Sequence, residues 1–193
     1  VQFKNVLETT RKRLPIGIAQ MGKAFRNEIT PGNFIFRTRE FEQMEIEYFI
    51  DERSWKEQFE YWLGEMKIWL KDLGVSEKHL HYTEIPEEER AHYSKRTVDI
   101  EYDYPFGKKE LYGLAYRGDF DLKNHMEKSG VDLRYTDPET GEKFLPHVIE
   151  PSFGLDRTVL VAMLEAYTEE KAPTARSTDS ASSLQASSGQ AEA

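Results

Sequence analysis

The chain has 193 residues, and its 26 basic against 35 acidic side chains give a formal net charge of −9. This balance argues against a general nucleic-acid binder, whose affinity comes mainly from neutralising phosphates, although it allows an RNA contact confined to one face. There is no cysteine, which excludes disulfides and thiolate metal sites and fits a cytoplasmic protein, and no apolar run approaches the roughly 20 residues that span a bilayer.

The first predicted elements are a short helix within residues 1–14 and two long strands. The strands, Ile16–Glu28 and Phe34–Ile50, are joined by a turn at Thr30-Pro31-Gly32-Asn33. Proline and glycine supply the backbone geometry that a tight turn requires. The pattern therefore predicts a long β-hairpin.

A helix of about 20 residues should follow, with Ser54 as its N-cap and Gly74 at its C′ position. Its apolar residues recur at helical spacing and are rich in tryptophan, which is typical of a helix packed on a core. The remaining predicted elements are strands Val98–Tyr102 and Glu110–Ala115, a helix Phe120–Lys128, a turn Asp137–Gly141, a strand Phe144–Ser152 and a helix Leu155–Tyr167. Strands paired as hairpins, with helices on one side, indicate an α+β fold built on an antiparallel β-sheet.

The composition changes at Lys171. Residues 171–193 are dominated by alanine, serine, threonine and glutamine and have almost no large apolar side chains. Such a segment cannot bury enough surface to offset its ordering entropy, so we predict that it is disordered. Residues 1–170 are the predicted folded domain.

The second strand of the hairpin has two contrasting faces. Strand alternation places polar residues together with Phe41 on one face, and Met44, Ile46, Tyr48 and Ile50 on the other, where they would pack on a helix. The polar face would comprise Arg26 and Glu28 of the first strand and Ile35, Arg37, Arg39, Phe41, Gln43, Glu45 and Glu47 of the second.

Spacing alone leaves two interpretations of this polar face open. It could be a solvated surface stabilised by cross-strand ion pairs. It could instead be the floor of a site for a ligand that is both anionic and aromatic. In that case arginines would bind phosphate, Phe41 would stack on a base, and carboxylates would bind an ammonium group or a metal.

Several separated segments, in chain order, resemble class II aminoacyl-tRNA synthetases and above all glycyl-tRNA synthetases. Phe25–Glu28 and Phe36–Glu47 are similar to motif 2 of this family, and Glu150–Arg157 is similar to motif 3. His92–Tyr102 and Glu110–Asp119 also resemble the family. The matches cover nearly all of residues 1–168, which makes them far more specific than one short motif.

The resemblance implies an ATP site on the antiparallel sheet. Arg26 and Arg157 would be the catalytic residues, with Arg26 on the α-phosphate and Arg157 on the opposite ring face or the terminal phosphate. Phe41 would lie under the adenine and Glu28 at its edge, while Glu110 and Glu150 would lie near Mg²⁺. The implied ATP-binding residues are Arg26, Asn27, Glu28, Phe36, Arg37, Thr38, Arg39, Glu40, Phe41, Glu110, Leu111, Gly154, Leu155, Asp156 and Arg157.

The resemblance also implies a site for glycine. Glu45 and Ser152 match residues that hold the amino group and crowd the α-carbon, because a ligand without a side chain is selected by excluding larger ones. The implied glycine-binding residues are Phe41, Glu42, Gln43, Met44, Glu45, Glu150, Pro151, Ser152, Phe153 and Gly154. The expected activity is activation of glycine with ATP and transfer to tRNA(Gly), by an enzyme whose full-length form is a homodimer.

The chain also departs from the family. The resemblance lacks motif 1, an upstream Arg-Pro-Glu-Thr segment and the anticodon-binding domain, so we expect a fragment with weak or no aminoacylation by itself. Gly32 stands where the motif 2 loop usually has an arginine, which weakens the expectation that this loop contacts the tRNA acceptor end.

Two other functions stay open at this stage. One is a synthetase-like module that no longer catalyses and binds RNA or protein, and the other is a class II ligase for threonine, proline or histidine. None of the histidines has a spacing typical of a metal site: His79, His81, His92, His125 and His147.

Overall fold

A computed structural model describes residues 2–170, so the predicted disorder of residues 171–193 lies outside the described residues. Within this range the chain forms four α-helices and eight strands. They are α1 (Phe3–Thr10), β1 (Ile16–Phe25), β2 (Glu40–Ile50), α2 (Trp55–Asp72), β3 (Leu80–Glu84), β4 (Arg96–Tyr104), β5 (Gly107–Gly118), α3 (Phe120–Ser129), β6 (Tyr135–Thr136), β7 (Lys143–Phe144), β8 (His147–Gly154) and α4 (Leu155–Ala166). None of these helices is both long and apolar enough to cross a membrane.

Six strands form one antiparallel sheet in the order β1-β2-β8-β5-β4-β3, and β6 and β7 pair separately. The predicted α+β fold with an antiparallel sheet is confirmed. Strand β8 lies between β2 and β5 and pairs with both. This order brings the hairpin and the β8–α4 junction side by side, although they are far apart in the sequence.

Helices α2 and α4 cover one face of the sheet. Phe59, Met66 and Leu70 of α2 are buried there, and Trp55 stacks on Tyr116 of β5 with ring centroids 4.5 Å apart. The apolar side of β2 faces the same layer, as predicted, and Tyr48 meets a tryptophan of α2 edge-on at 5.2 Å. In the part of the chain that the structure describes, the opposite face of the sheet is covered at one end, by a smaller apolar cluster that joins residues of α1 and α3 to the sheet. The rest of that face carries charged side chains.

The hairpin loop is longer than predicted. Strand β1 ends at Phe25 and β2 begins at Glu40, so the prediction of strand structure in residues 26–28 and 34–39 was wrong. Gly32 and Arg37 exchange backbone hydrogen bonds of 2.9 and 3.2 Å, and Asn33 and Phe34 between them have left-handed φ angles of 57° and 56°. The turn therefore lies three residues later than predicted, at residues 33–36, because two successive left-handed residues reverse the chain there.

The ends of α2 are only partly as predicted. Gly74 has a φ of 81°, as a C′ glycine should. Ser54 makes no capping bond, since its hydroxyl donates to the Asp51 carbonyl at 3.0 Å, and the Asp51 carboxylate accepts the backbone N–H of Arg53 at 2.8 Å. Strand β3 was missed because it lies at the edge of the sheet in a polar stretch with little alternation.

Candidate active site

A cavity of about 100 Å³ lies on the charged face of the sheet, where the hairpin loop, β5 and the β8–α4 junction meet. Most of its lining consists of residues predicted for ATP or glycine: Arg26, Glu28, Phe36, Arg37, Thr38, Phe41, Glu42, Gln43, Glu110, Leu111, Ser152, Gly154, Asp156 and Arg157. The predicted residues outside this lining are Asn27, Arg39, Glu40, Met44, Glu45, Glu150, Pro151, Phe153 and Leu155. The fold thus brings the predicted site residues of the hairpin and those of the β8–α4 junction into one cavity.

Arg26 is the hairpin arginine whose side chain has no polar partner among the described residues 2–170. Its guanidinium carbon lies 5.2 Å from the ring centroid of Phe41, and its side chain forms no ion pair or hydrogen bond within residues 2–170. The neighbouring charges are engaged: Arg37 lies 3.9 Å from the Glu28 carboxylate, and Arg39 Nε donates to the Glu28 carbonyl at 3.0 Å. The ion-pair interpretation therefore describes Arg37, whereas Arg26 remains able to bind an anion.

Arg26 also limits the room in the cavity. Small-molecule sites generally occupy about 300–1,000 Å³, which is more than the about 100 Å³ found here. The guanidinium of Arg26 lies over one face of the Phe41 ring. A ligand could therefore stack on this face of Phe41 only if Arg26 moved aside.

Arg157, in the first turn of α4, is held in place from two sides. Its Nη1 donates to the carbonyl of Glu110 at 2.8 Å and to Glu110 Oε2 at 3.2 Å, and its guanidinium carbon lies 4.3 Å from the ring centroid of Phe36. The preceding residue, Asp156, accepts the backbone N–H of Glu42 at 2.8 Å. These contacts fasten the start of α4 to β2, so that Arg157 points into the cavity without a ligand to order it.

Two carboxylates meet above Gly113 of β5. A Cβ atom placed at Gly113 would lie 3.7 Å from Glu110 Oε1 and 3.8 Å from Asp99 Oδ1. Glu110 reaches this face because the β4–β5 register shifts at Leu111, which is left without a partner; strict alternation would put Glu110 on the opposite face. Burial and the adjacent Glu110 raise the pKa of Asp99 to about 6.

Asp99 was not among the predicted site residues, although it lies in the His92–Tyr102 segment that resembles the family. Residues 2–170 contain no group of three or more histidine or acidic side chains arranged to hold a metal by themselves. Asp99 and Glu110 supply only part of the set of oxygen ligands that Mg²⁺ prefers, so phosphate oxygens would have to complete that set. Glu150, the other predicted Mg²⁺ ligand, lies elsewhere, since it is in register with Ala115, well along β5 from Glu110.

A second group of carboxylates continues along the same face. Glu45 of β2 pairs in register with Ser152 of β8, and Glu47 and Glu150 follow on the same side of these strands. Burial and the charge of Glu150 raise the pKa of Glu47 to about 7, and burial also raises the pKa of Glu150. We call Glu45, Glu47, Glu150 and their neighbour Asp121 the acidic cluster.

Arg117 of β5 is the cation of this cluster. It donates to Asp121 at 2.6 and 2.9 Å and to Glu150 at 2.5 Å, and its guanidinium carbon lies 3.9 Å from the ring centroid of Tyr93. Asp119, two residues further along the chain, faces Lys95 instead. Four carboxylates share one arginine, so the cluster has negative charge left to attract a cation.

We expect Glu47 to make the protein less stable as the pH rises from about 4.5 to about 7. In this interval the folded state binds more protons than the unfolded chain, because the pKa of Glu47 is raised from 4.5 to about 7. Each pKa unit corresponds to about 1.4 kcal/mol, so the loss should be about 3 kcal/mol. Urea unfolding at about pH 5 and about pH 8 should show that Glu47→Gln, which has no proton to lose, lacks this decline.

The matched control is Glu57→Gln, which removes an exposed carboxylate of α2. It should keep the pH dependence of the unsubstituted protein. A Glu47→Gln variant with the same pH dependence as the Glu57→Gln control would mean that Glu47 titrates as an ordinary surface carboxyl.

Comparisons with known proteins agree with this geometry. Residues 3–167 match the family described as "tRNA synthetase class II core domain (G, H, P, S and T)". The chain is 56% identical over 171 residues to a glycine–tRNA ligase of Geobacillus thermodenitrificans, and 54% identical over 171 residues to one of Caldanaerobacter subterraneus. It is 52% identical over 179 residues to a glycine–tRNA ligase of Thermobifida fusca.

These matches cover most of this chain and a minor part of each relative. The first two alignments span 89% of the chain and 37% of the relative, and the third spans 91% and 39%. The chain therefore corresponds to little more than a third of the length of the curated proteins that it resembles.

Proposed function

This chain belongs to the tRNA synthetase class II core domain family, and we propose that it forms the ATP- and glycine-binding part of a glycine–tRNA ligase. One observation carries the proposal. A single cavity joins Arg26 and Phe41 of the hairpin to Glu110 and Arg157, and the acidic cluster continues from it along the same sheet face. That arrangement suits a ligand that is anionic at one end and cationic at the other.

The cavity would bind ATP. Arg26, which has no ion-pair partner among residues 2–170, would move from the ring of Phe41 to the α-phosphate, and adenine would take its place on the ring. Arg157 is already fixed by Glu110 and Phe36 at the opposite side. Guanidinium groups suit this task because their fork of donors matches phosphate oxygens.

The acidic cluster would bind the ammonium group of glycine. Arg117 pairs with Asp121 and Glu150, which leaves Glu45 and Glu47 without an ion pair among residues 2–170. Ser152, in register with Glu45, would lie against the α-carbon, so that a larger side chain meets the sheet. Selection by exclusion is the physical route open for the smallest amino acid.

The reaction proceeds in two transfers. A carboxylate oxygen of glycine attacks the α-phosphorus of ATP; the new O–P bond forms as the bond to pyrophosphate breaks. The 3′ hydroxyl of tRNA(Gly) then attacks the carbonyl carbon, and AMP leaves. Arg26 and Arg157 would stabilise the charge that spreads over the phosphoryl oxygens, which is where such sites gain most of their rate.

Glu110 and Asp99 would hold Mg²⁺, which would neutralise part of the charge of the ATP phosphates. The two carboxylates fit because they flank the same point above Gly113. Glu150 would serve the amino acid, since Arg117 holds it in the acidic cluster. We further propose a cytoplasmic location and, for the full-length protein, a homodimer.

Pyrophosphate exchange into ATP tests the proposal. The 193-residue chain should exchange slowly with glycine, and not with alanine, serine, threonine, proline or histidine, while charging tRNA(Gly) weakly or not at all. Exchange with one of the other amino acids would point to a different class II ligase. ATP binding without any exchange would favour the module that no longer catalyses.

A further inference from the structure

A series of linked hydrogen bonds crosses the layer between the helices and the sheet. Trp69 Nε1 of α2 lies 3.3 Å from the Tyr112 hydroxyl of β5, and this hydroxyl lies 2.8 Å from Thr158 Oγ1 of α4. The Thr158 hydroxyl in turn donates to the carbonyl of Gly154 at 2.7 Å. These bonds connect helix α2 to the point where β8 ends and α4 begins, and we call them the hydrogen-bond relay.

The two ends of the relay fix the direction of every bond in it. An indole N–H can only donate, and a carbonyl oxygen can only accept. Trp69 therefore donates to Tyr112. Because the Thr158 hydroxyl gives its proton to Gly154, it must accept the proton of the Tyr112 hydroxyl. Both hydroxyls are thus used as donor and as acceptor.

The last bond of the relay would carry no function by itself. Helical threonines often donate to the carbonyl four residues earlier, and this bond alone tends to destabilise a helix slightly. Here, however, Tyr112 and Thr158 are only 1% and 8% exposed, and the Tyr112 hydroxyl donates to Thr158. A buried hydroxyl that loses its partner has little access to water as a replacement, so the relay holds Thr158 against β5.

The relay ends beneath Arg157. A Cβ atom placed at Gly154 would be 3.5 Å from Cβ and Cδ of Arg157, so the aliphatic part of that side chain lies across the glycine. Gly154 is also the N-cap residue of α4 and has no side chain that could cap the helix. The order of this junction therefore depends on bonds to its backbone, and the bond from Thr158 connects it to the core.

We propose that Thr158 and Tyr112 are positioning residues for Arg157. Their hydroxyls lie in the helix layer behind the cavity and act through the backbone of Gly154, which supports the arginine side chain. Glu110 and Phe36 hold the guanidinium end of Arg157, and the relay holds the start of the side chain. A binding group is effective only when such supporting bonds fix its place. The inference rests on the proposed function, in which Arg157 binds ATP.

Two substitutions of Thr158 separate positioning from packing. Thr158→Val keeps the shape of the side chain and removes the hydroxyl, whereas Thr158→Ser keeps the hydroxyl and loses a methyl group. Isothermal titration of the 193-residue chain with ATP should show binding about ten-fold weaker in Thr158→Val, in the range for a buried group that loses its partner. Thr158→Ser should bind like the unsubstituted chain. The opposite order would mean that Thr158 acts by packing, and would overturn the inference.

Tyr112→Phe has a matched control on the same strand. It removes the donor to Thr158 and should weaken ATP binding about three-fold, because the bond from Thr158 to Gly154 remains. Tyr116→Phe removes a hydroxyl that is equally buried, and that shares a hydrogen bond of 2.5 Å with Nδ1 of His147 at the other end of β8. This control should leave ATP affinity unchanged. Equal ATP affinities in the two variants would contradict the role of Tyr112.

The route through Arg157 is tested in an Arg157→Ala background. Thr158→Val should not change ATP affinity further in this background, because the side chain that the relay positions is gone. A further loss as large as the loss in the unsubstituted background would mean that Thr158 affects ATP by another route. That result would overturn the inference.

Hydrogen exchange without ATP measures the order of the junction itself. Amides of residues 153–160 should exchange about five-fold faster in Thr158→Val than in Thr158→Ser or the unsubstituted chain, the effect of losing one hydrogen bond. Equal exchange in the three proteins would overturn the inference whether or not ATP binds. Failure of the unsubstituted chain to bind ATP would contradict the proposed function, and exchange would then decide on the relay. Unaltered ATP affinity in every variant would contradict this inference alone.

Discussion

Replacing Arg26 with alanine should weaken ATP binding by about 100-fold without unfolding the protein. The guanidinium would lose at least two charge-assisted hydrogen bonds to phosphate, each worth about 1.5–3 kcal/mol, and every 1.4 kcal/mol is a factor of ten. The fold should be unaffected because the Arg26 side chain has no ion pair or hydrogen bond within residues 2–170, and only its stacking on Phe41 is lost. Isothermal titration with ATP and a urea unfolding curve provide the two measurements.

Two variants complete this test. Arg13→Ala removes an exposed arginine that pairs with Glu139 away from the cavity, so it should leave ATP affinity unchanged. Arg26→Lys keeps the charge but loses the fork of donors, and its affinity should lie between the two. If Arg26→Ala binds ATP as tightly as Arg13→Ala does, the hairpin face is a solvated surface after all.

Arg117→Ala should lower the free energy of unfolding by about 4 kcal/mol near neutral pH. Removing one partner of a buried ion pair typically costs about 3–5 kcal/mol, because the opposite charge stays buried without compensation. Here the side chains of Arg117 and Glu150 are only 15% and 14% exposed, and Asp121 depends on the same guanidinium. Urea unfolding followed by circular dichroism would measure the change.

The cost should decrease at lower pH. Burial raises the pKa of Glu47 and of Glu150, so both carboxyls can take up protons in mild acid and no longer need the arginine.

The control is Arg134→Ala, which breaks an exposed ion pair. The side chains of Arg134 and its partner Asp132 are 48% and 39% exposed. An exposed pair is generally worth no more than about 1 kcal/mol. Equal losses in the two variants would show that Arg117 is no more than a surface cation.

Features that depend on local periodicity could be predicted from the sequence. The apolar stripe of α2 and the apolar face of β2 were identified because backbone geometry alone sets the repeats of a helix and a strand. The position of Gly74 was also predictable from local geometry, because glycine adopts a positive φ easily at a helix end. The site residues came from several segments that resemble one family in a fixed order, and most of them do line one cavity.

Other features depend on partners that are distant in the sequence, and only the tertiary structure decided them. Alternation alone would turn Glu110 away from Gly113, but pairing with β4 forces a shift at Leu111 that brings its carboxylate beside Asp99. In the same way, the place of β8 between β2 and β5 unites the acidic cluster and gives Arg117 its partners. The sequence by itself determined which residue types carry the chemistry and on which strands and helices most of them lie. The tertiary structure decided which of them touch, because strand order, register and burial are set by the packing of the whole sheet.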